Sequence, residues 1–281
     1  MAALNYLQRL AESAQKEKSV LCMGLDPVLE DIPIKEKDAE KKIVKFYSTL
    51  LKAARSSKAK MSAVKPNYAF FAQYGFPGLR ALKKVVEMYK KHYIVLLDAK
   101  RGDIGKTSEA YAKEVFDFWQ ADAVTINPFL GFDTVSPYFE HCKKGKGVYI
   151  LVRTSNPGAA EFQNLTLQGK PLYKHVAERL LAQNIEGAGA VVGATAPQEL
   201  DSLIALFNTR RIPLLIPGIG TQGGFATEIG RNLQNSKNIQ LHRVSASSSI
   251  TYAYKKENTK DYADAAVKAI EKINRELNLR F

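Results

Sequence analysis

The sequence predicts an eight-stranded parallel α/β barrel, (β/α)8, and three observations carry the prediction. Short apolar runs rich in Val, Ile and Leu recur eight times, most of them ending in Gly, Pro, Asn, Asp or Ser, as buried parallel strands do. Segments with the apolar spacing of amphipathic helices lie between them. Polar residues gather at the C-terminal ends of the runs, where a barrel assembles its site. Strand–helix alternation alone also fits a doubly wound open sheet, and the count of eight favours the barrel.

In order, the runs are residues 20–25, 61–65, 94–100, 123–127, 148–153, 190–194, 213–217 and 241–246. Helical periodicity fills residues 39–54, 78–90, 108–119, 172–184 and 197–208, and a last helix over 261–277 closes the chain. The longest polar connections fall near 156–170 and 255–261, and no repeat, low-complexity tract or Ser/Gly linker divides the sequence. Residues 1–281 are therefore expected to form a single (β/α)8 TIM barrel domain, a length common for that fold.

Composition narrows the function classes. Apolar residues make up 46% and charged residues 25% of the chain, an ordinary globular balance. The formal net charge of +13 would suit a polyanion partner. The lysines, however, fall mostly in helix-like stretches such as 35–45 and 83–91, mixed with acids and apolar residues, so they read as solvated helix faces and not as a nucleic-acid or membrane surface. Cys22 and Cys142 have no partner set at metal-ligand spacing, and no disulfide framework is suggested. Residues 1–17 contain no apolar signal core, and no apolar stretch approaches the length of a membrane span. The expectation is a soluble, cytoplasmic protein.

The ends of the eight runs carry Asp26, Lys65, Asp98 with Lys100, Asn127, Thr154 with Ser155, Thr195, Gly218 with Gly220, and Ser247 with Ser248. The third is the most informative: Asp98 and Lys100 stand two residues apart on a strand and so point to one face. With Asp103 just beyond and Lys65 ending the neighbouring run, a Lys–Asp–Lys–Asp cluster can form at the barrel mouth. A purely structural ion-pair network through Asp98, Lys100 and Arg101 is the plainer reading. A lysine among carboxylates stays protonated, though, which is what a reaction needs when it makes a carbanion that must be quenched. Pro217, Gly218, Ile219 and Gly220 with Gln222 follow the seventh run, where barrels commonly bind phosphate; a tight strand-to-helix turn is the alternative. His92, His141, His175 and His242 read as core or surface residues without a role.

The segment Asp98-Ala99-Lys100-Arg101-Gly102-Asp103-Ile104, followed by Thr107, resembles the Asp-x-Lys-x-x-Asp-Ile-x-x-Thr signature of the orotidine 5'-phosphate decarboxylases. Gly24-Leu25-Asp26-Pro27, the stretch from Lys65 to Phe71, the stretch from Val152 to Gly158, and Pro217-Gly218-Ile219-Gly220 with Gln222 are similar to the longer bacterial branch of that family. The resemblance implies a homodimer that needs no cofactor or metal and converts orotidine 5'-phosphate to UMP, the last step of de novo pyrimidine nucleotide synthesis. It implies that Lys65, Asp98 and Lys100 come from one subunit while Asp103, Ile104 and Thr107 reach into the neighbour's site. Asp26 would bind ribose hydroxyls with Thr107, and Lys65 would hold the ribose and the charge network. Ser155, or alternatively Thr154, would contact the pyrimidine. Asp98 would crowd the departing carboxylate, and Lys100 would stabilise and protonate the carbanion. The loop from Pro217 to Gln222 would grip the phosphate.

The sequence departs from the family at one position. Aligning residues 244–250 to the family's last strand places Ser248 where an Arg clamps the phosphate. Either Arg243 or another basic residue serves instead, or phosphate is held weakly, or activity is reduced. Two rivals compete with the decarboxylase reading: a metal-dependent sugar-phosphate enzyme of the same superfamily, which would need more carboxylates where Lys65 stands, and a barrel that binds nucleotides without turnover.

Overall fold

The structure is a computed structural model and describes residues 4–57, 59–220 and 224–281. Eight parallel strands close into a barrel: β1 Leu21–Leu25, β2 Ala63–Pro66, β3 Ile94–Arg101, β4 Ala123–Ile126, β5 Gly147–Arg153, β6 Ala188–Val192, β7 Leu214–Pro217 and β8 Arg243–Ala246. Each strand pairs with its neighbours in sequence, and β1 closes on β8 through Leu21↔Val244 and Cys22↔Ser245. The (β/α)8 expectation holds. All eight apolar runs are strands, with ends shifted by a few residues; the last begins at Arg243 because Ile239–Leu241 is a 3-10 turn.

Strand alternation sorts the side chains into two shells. Outward residues such as Leu21, Met23, Val64, Leu97, Val124 and Ile150 join the large core beneath the helices. Inward residues fill the barrel in layers, as the fold requires. The lower layers hold Cys22, Ala63, Ile94, Leu96, Ala123 and Tyr149. One inward residue further along, seven strands contribute Lys65, Asp98, Thr125, Leu151, Val191, Leu215 and Ser245 to the floor of a cavity at the C-terminal mouth.

The N-terminal end is sealed by a helix that the sequence pattern did not single out. Tyr6–Glu17 is capped by Asn5, whose side chain and that of Gln8 form a reciprocal capping box. Tyr6, Leu7 and Leu10 insert into the barrel bottom, and Tyr6 Oη donates to Tyr149 Oη at 3.1 Å. Position 147 must be glycine here, because a Cβ would lie 2.2 Å from the Tyr6 ring. Arg243, one of the residues offered for the phosphate, belongs to this sealed end. It is fully buried, and its guanidinium donates to the carbonyls of Leu10, Gln240 and His242. Since it stands at the start of β8, opposite the mouth, it cannot reach a ligand in the cavity.

Candidate active site

The cavity has a volume of about 460 Å3. Of the sequence-predicted site residues, Asp26, Lys65, Asp98, Lys100, Thr154, Ser155, Pro217 and Gly218 line it, together with Ser247 and Ser248 from the end of β8. Gly220 lies just outside, against Ser249 in a neighbouring cleft. Gln222 falls outside the described residues.

At its centre a carboxylate is held between two ammonium groups. Lys65 Nζ lies 2.7 Å from Asp98 Oδ2, and Lys100 Nζ lies 2.7 Å from Asp98 Oδ1. Thr125 Oγ1 donates a third hydrogen bond to Asp98 Oδ1 at 3.0 Å. Burial by itself favours the neutral acid of Asp98, but Lys65 and then Lys100 hold its pKa well below the usual carboxylate range. Burial likewise works against the Lys65 ammonium, and Asp98 first and Asp26 second hold that pKa above the ordinary lysine value. The two lysines differ in setting: the Lys65 side chain is 7% exposed and that of Lys100 is 52% exposed.

The end of β3 is not a regular strand. The β3–β4 register shifts between Leu97 and Arg101, and Lys100 adopts φ of 44°, in the left-handed region that non-glycine residues avoid. The bulge turns the amides of Ala99 and Lys100 toward Thr125 Oγ1, at 3.2 and 3.0 Å. Thr125 thus fixes both the strained backbone and the carboxylate. Sequence reading missed it, since a Thr inside an apolar run looks like an ordinary β-branched strand residue; its inward parity with Ala123 was the available signal. Arg101 points elsewhere: it pairs with Glu114 at 2.7 Å and stacks its guanidinium over Tyr68 and Tyr111.

Asp26 directly follows β1 and lies beside Ser247, whose hydroxyl donates to Asp26 Oδ2. Its buried Oδ1 has no hydrogen-bond partner among the described residues, leaving an acceptor at the cavity wall. Asp103, Ile104 and Thr107 do not join the cavity of their own chain. Asp103 Oδ1 accepts from Ile104 N at 2.8 Å, and Ile104 is 64% exposed. Of the expected Lys–Asp–Lys–Asp cluster, the structure brings together the first three members.

The histidines lie away from the cavity. His242 is buried, His141 stacks on Phe116, His175 contacts the Leu167 carbonyl, and His92 is exposed. Both cysteines are buried and unbridged, and burial pushes each thiol up to about 12. Among the described residues, no group of three or more His, Cys, Asp or Glu is placed to hold a metal ion.

A closed parallel barrel with a charge network at its C-terminal mouth is the architecture of a barrel enzyme. Comparison with known proteins specifies which kind. Residues 19–262 match the model of the orotidine 5'-phosphate decarboxylase / HUMPS family. Curated relatives named orotidine 5'-phosphate decarboxylase include one from Janthinobacterium sp. (strain Marseille), 39% identical over 279 residues that cover 97% of this chain and 99% of the relative. Another, from Variovorax paradoxus (strain S110), is 40% identical over 277 residues, 95% of each chain. Among solved structures, the OMP decarboxylase of Leishmania donovani superposes with a TM-score of 0.78 at 30% identity, covering 98% of this chain and 100% of that one. The Leishmania donovani UMP synthase superposes with a TM-score of 0.80 at 32% identity over 98% of this chain and 57% of that one. The chain belongs to the orotidine 5'-phosphate decarboxylase / HUMPS family.

Proposed function

We propose that this enzyme decarboxylates orotidine 5'-phosphate to UMP and carbon dioxide, the closing step of de novo pyrimidine nucleotide synthesis. The observation that carries the reading is the Lys65–Asp98–Lys100 cluster, a carboxylate held anionic between two ammonium groups on the floor of a nucleotide-sized cavity.

The chemistry follows from that charge pattern. A substrate carboxylate placed beside Asp98 meets a like charge that its protein neighbours keep ionised, and loss of carbon dioxide removes the repulsion. The electron pair left at C6 of the ring then faces Lys100, whose ammonium stabilises it and delivers the proton. Lys65 keeps Asp98 anionic and reaches the ribose, and Asp26 Oδ1 accepts from a ribose hydroxyl. Ser155 meets the pyrimidine edge. Pro217, Gly218, Gly220 and Gln222 hold the phosphate, far from the reacting carbon, so that binding energy spent there orders the reacting end.

We assign the enzyme a homodimeric state with shared sites, and residues 1–281 a single domain. Asp103, Ile104 and Thr107 sit outside their own cavity, and the exposed apolar side chains Ile104, after β3, and Phe129 and Leu130, after β4, are assigned to a rim that a second copy would cover. Thr107 of the partner subunit then joins Asp26 at the ribose. Two unbridged cysteines fit a cytoplasmic enzyme, and no helix among the described residues is long and apolar enough to cross a membrane.

The test is the loss of orotidine 5'-phosphate absorbance with purified, chelator-treated protein. Turnover that disappears in Lys100→Ala supports the reading. A folded protein that binds UMP without turnover would leave only the nucleotide-binding barrel.

A further inference from the structure

Between Arg101, the last residue of β3, and the helix Gly105–Lys113 lie Gly102, Asp103 and Ile104. Asp103 is half-buried, and Gly102 and residues 104–107 are exposed, so the chain's own packing holds this turn mainly through the elements at its two ends. The strand end stays in the barrel ladder, where Asn127 N donates to Arg101 O at 2.8 Å. The helix is fixed near its start by Ser108, whose buried hydroxyl donates to Thr134 O at 2.6 Å. Arg101 joins the two elements directly. Its Nε and Nη2 donate to the two carboxylate oxygens of Glu114, at 3.1 and 2.7 Å. Glu114 opens the π-helical turn Glu114–Phe118 that continues the helix, a wider turn found mostly at functional positions. Trp119 Nε1 donates to Glu114 Oε1 at 2.8 Å, which fixes the carboxylate from the other side.

The pair is largely buried, with side chains 15% and 24% exposed. The Arg101 guanidinium also lies 4.3 Å from the centre of the Tyr68 ring and 4.6 Å from that of Tyr111. A guanidinium supplies the fork for the carboxylate and the flat face for the rings together, which an ammonium does not. Neither Arg101 nor Glu114 lines the cavity of this chain, so the clamp acts through what it holds. Two neighbours could benefit: Lys100 before it, and the segment 103–107 after it. Lys100 already has its own supports, its amide donating to Thr125 Oγ1 at 3.0 Å and its ammonium to Asp98 Oδ1 at 2.7 Å. The clamp instead ties the strand end to the helix that carries Thr107, and so sets the course of the turn between them.

We propose that Arg101, through Glu114, is a positioning residue for the segment 103–107 that this chain presents to the site of the neighbouring subunit. The inference rests on the shared-site dimer proposed above. Arg101→Met should lower turnover of orotidine 5'-phosphate about 100-fold, the loss that a misplacement of about 1 Å can cause. Co-expressed pairs of variants show where that loss is felt. With Lys100→Ala, the Arg101→Met chain supplies the lysine and its partner supplies an undamaged segment. Random pairing makes half of the dimers mixed, each with one complete site, so about a quarter of the unchanged protein's activity should return. With Asp103→Ala, both chains present a faulty segment and no activity should return. Glu114→Gln should show the same pattern with a smaller loss, and it serves if Arg101→Met fails to fold. Recovery with Asp103→Ala and not with Lys100→Ala would mean that the clamp acts on Lys100 of its own chain, and would overturn the assignment. Recovery with both or with neither would reduce the clamp to a support of the fold, and so would unchanged turnover in Arg101→Met and Glu114→Gln. Lys100→Ala with Asp103→Ala is the control: without recovery there, it is the shared-site reading that fails, and the assignment of Arg101 fails with it.

Discussion

Lys65 and Lys100 contact the same carboxylate at the same 2.7 Å, so their removal separates the effect of burial from that of contact. Lys65→Met takes a charge from a pair whose members are 7% and 9% exposed. Breaking such a buried pair by losing one partner costs about 3–5 kcal/mol. Asp98 keeps Lys100 and Thr125, which places the expected cost near the lower end, about 3 kcal/mol. Lys100→Met removes an ammonium whose side chain is 52% exposed, and an ion pair of that kind is worth under about 1 kcal/mol. Urea unfolding at neutral pH, with the slope checked for constancy, measures both variants on one scale. Turnover should vanish in Lys100→Met despite its near-normal stability. Equal destabilisation by the two substitutions, or a larger loss in Lys100→Met, would mean that burial does not govern the network as argued.

Acid should weaken the fold through His242. Burial first, and Arg243 second, lower its pKa to about 3 in the folded chain, against about 6.5 unfolded. The neutral folded form contributes fully above the unfolded value, and stability is lost as pH falls from about 6.5 toward 3, by about 2 kcal/mol at pH 5; His242→Gln should show a correspondingly smaller drop between pH 7 and pH 5 in urea titrations. At the rim, Ile104→Asp with Phe129→Asp should move the protein to monomer in analytical ultracentrifugation and depress activity at low protein concentration. Mixing Lys100→Ala with Asp103→Ala chains should restore part of the activity if sites are shared, and no recovery would count against sharing. At the phosphate end, the cations lining the cavity among the described residues are Lys65 and Lys100, both engaged by Asp98. Ser248→Arg should therefore tighten UMP about tenfold, about 1.4 kcal/mol, and leave uridine unchanged; equal effects on both ligands would place the phosphate elsewhere.

The barrel was legible because buried parallel strands are written as short apolar runs, and all eight were found within a few residues of their ends. What escaped depends on tertiary context. The helix Tyr6–Glu17 precedes the first strand and fits no β–α alternation, while Ser136–Cys142 and Ala226–Gln234 span too few turns for their periodicity to stand out. The small hairpin of Thr166–Leu167 with Lys170–Pro171 lies inside what reads as a polar connection. Within the site, Lys65, Asp98 and Lys100 stand out because charges interrupt apolar runs, whereas Thr125 acts through hydrogen bonds that no local pattern encodes.

Lys100 shows the limit of the alternation argument most clearly. Parity on a regular strand names Asp98 and Lys100 as a same-face pair, and two residues of strand separate their backbones by about 6.6 Å. The chain does more than follow that rule, since at Lys100 the backbone leaves strand geometry for the left-handed region, at a cost of about 1–2 kcal/mol for a residue with a Cβ. A lysine there is locally disfavoured, and glycine would relieve the strain. The ammonium nevertheless closes on Asp98 at 2.7 Å, and Thr125 accepts both amides that the bulge releases. Strain held in place by such contacts belongs with function more readily than with stability. A residue serving only to cap the barrel would gain nothing from this conformation, whereas one that must present its ammonium both to a carboxylate and to a ligand gains a fixed position.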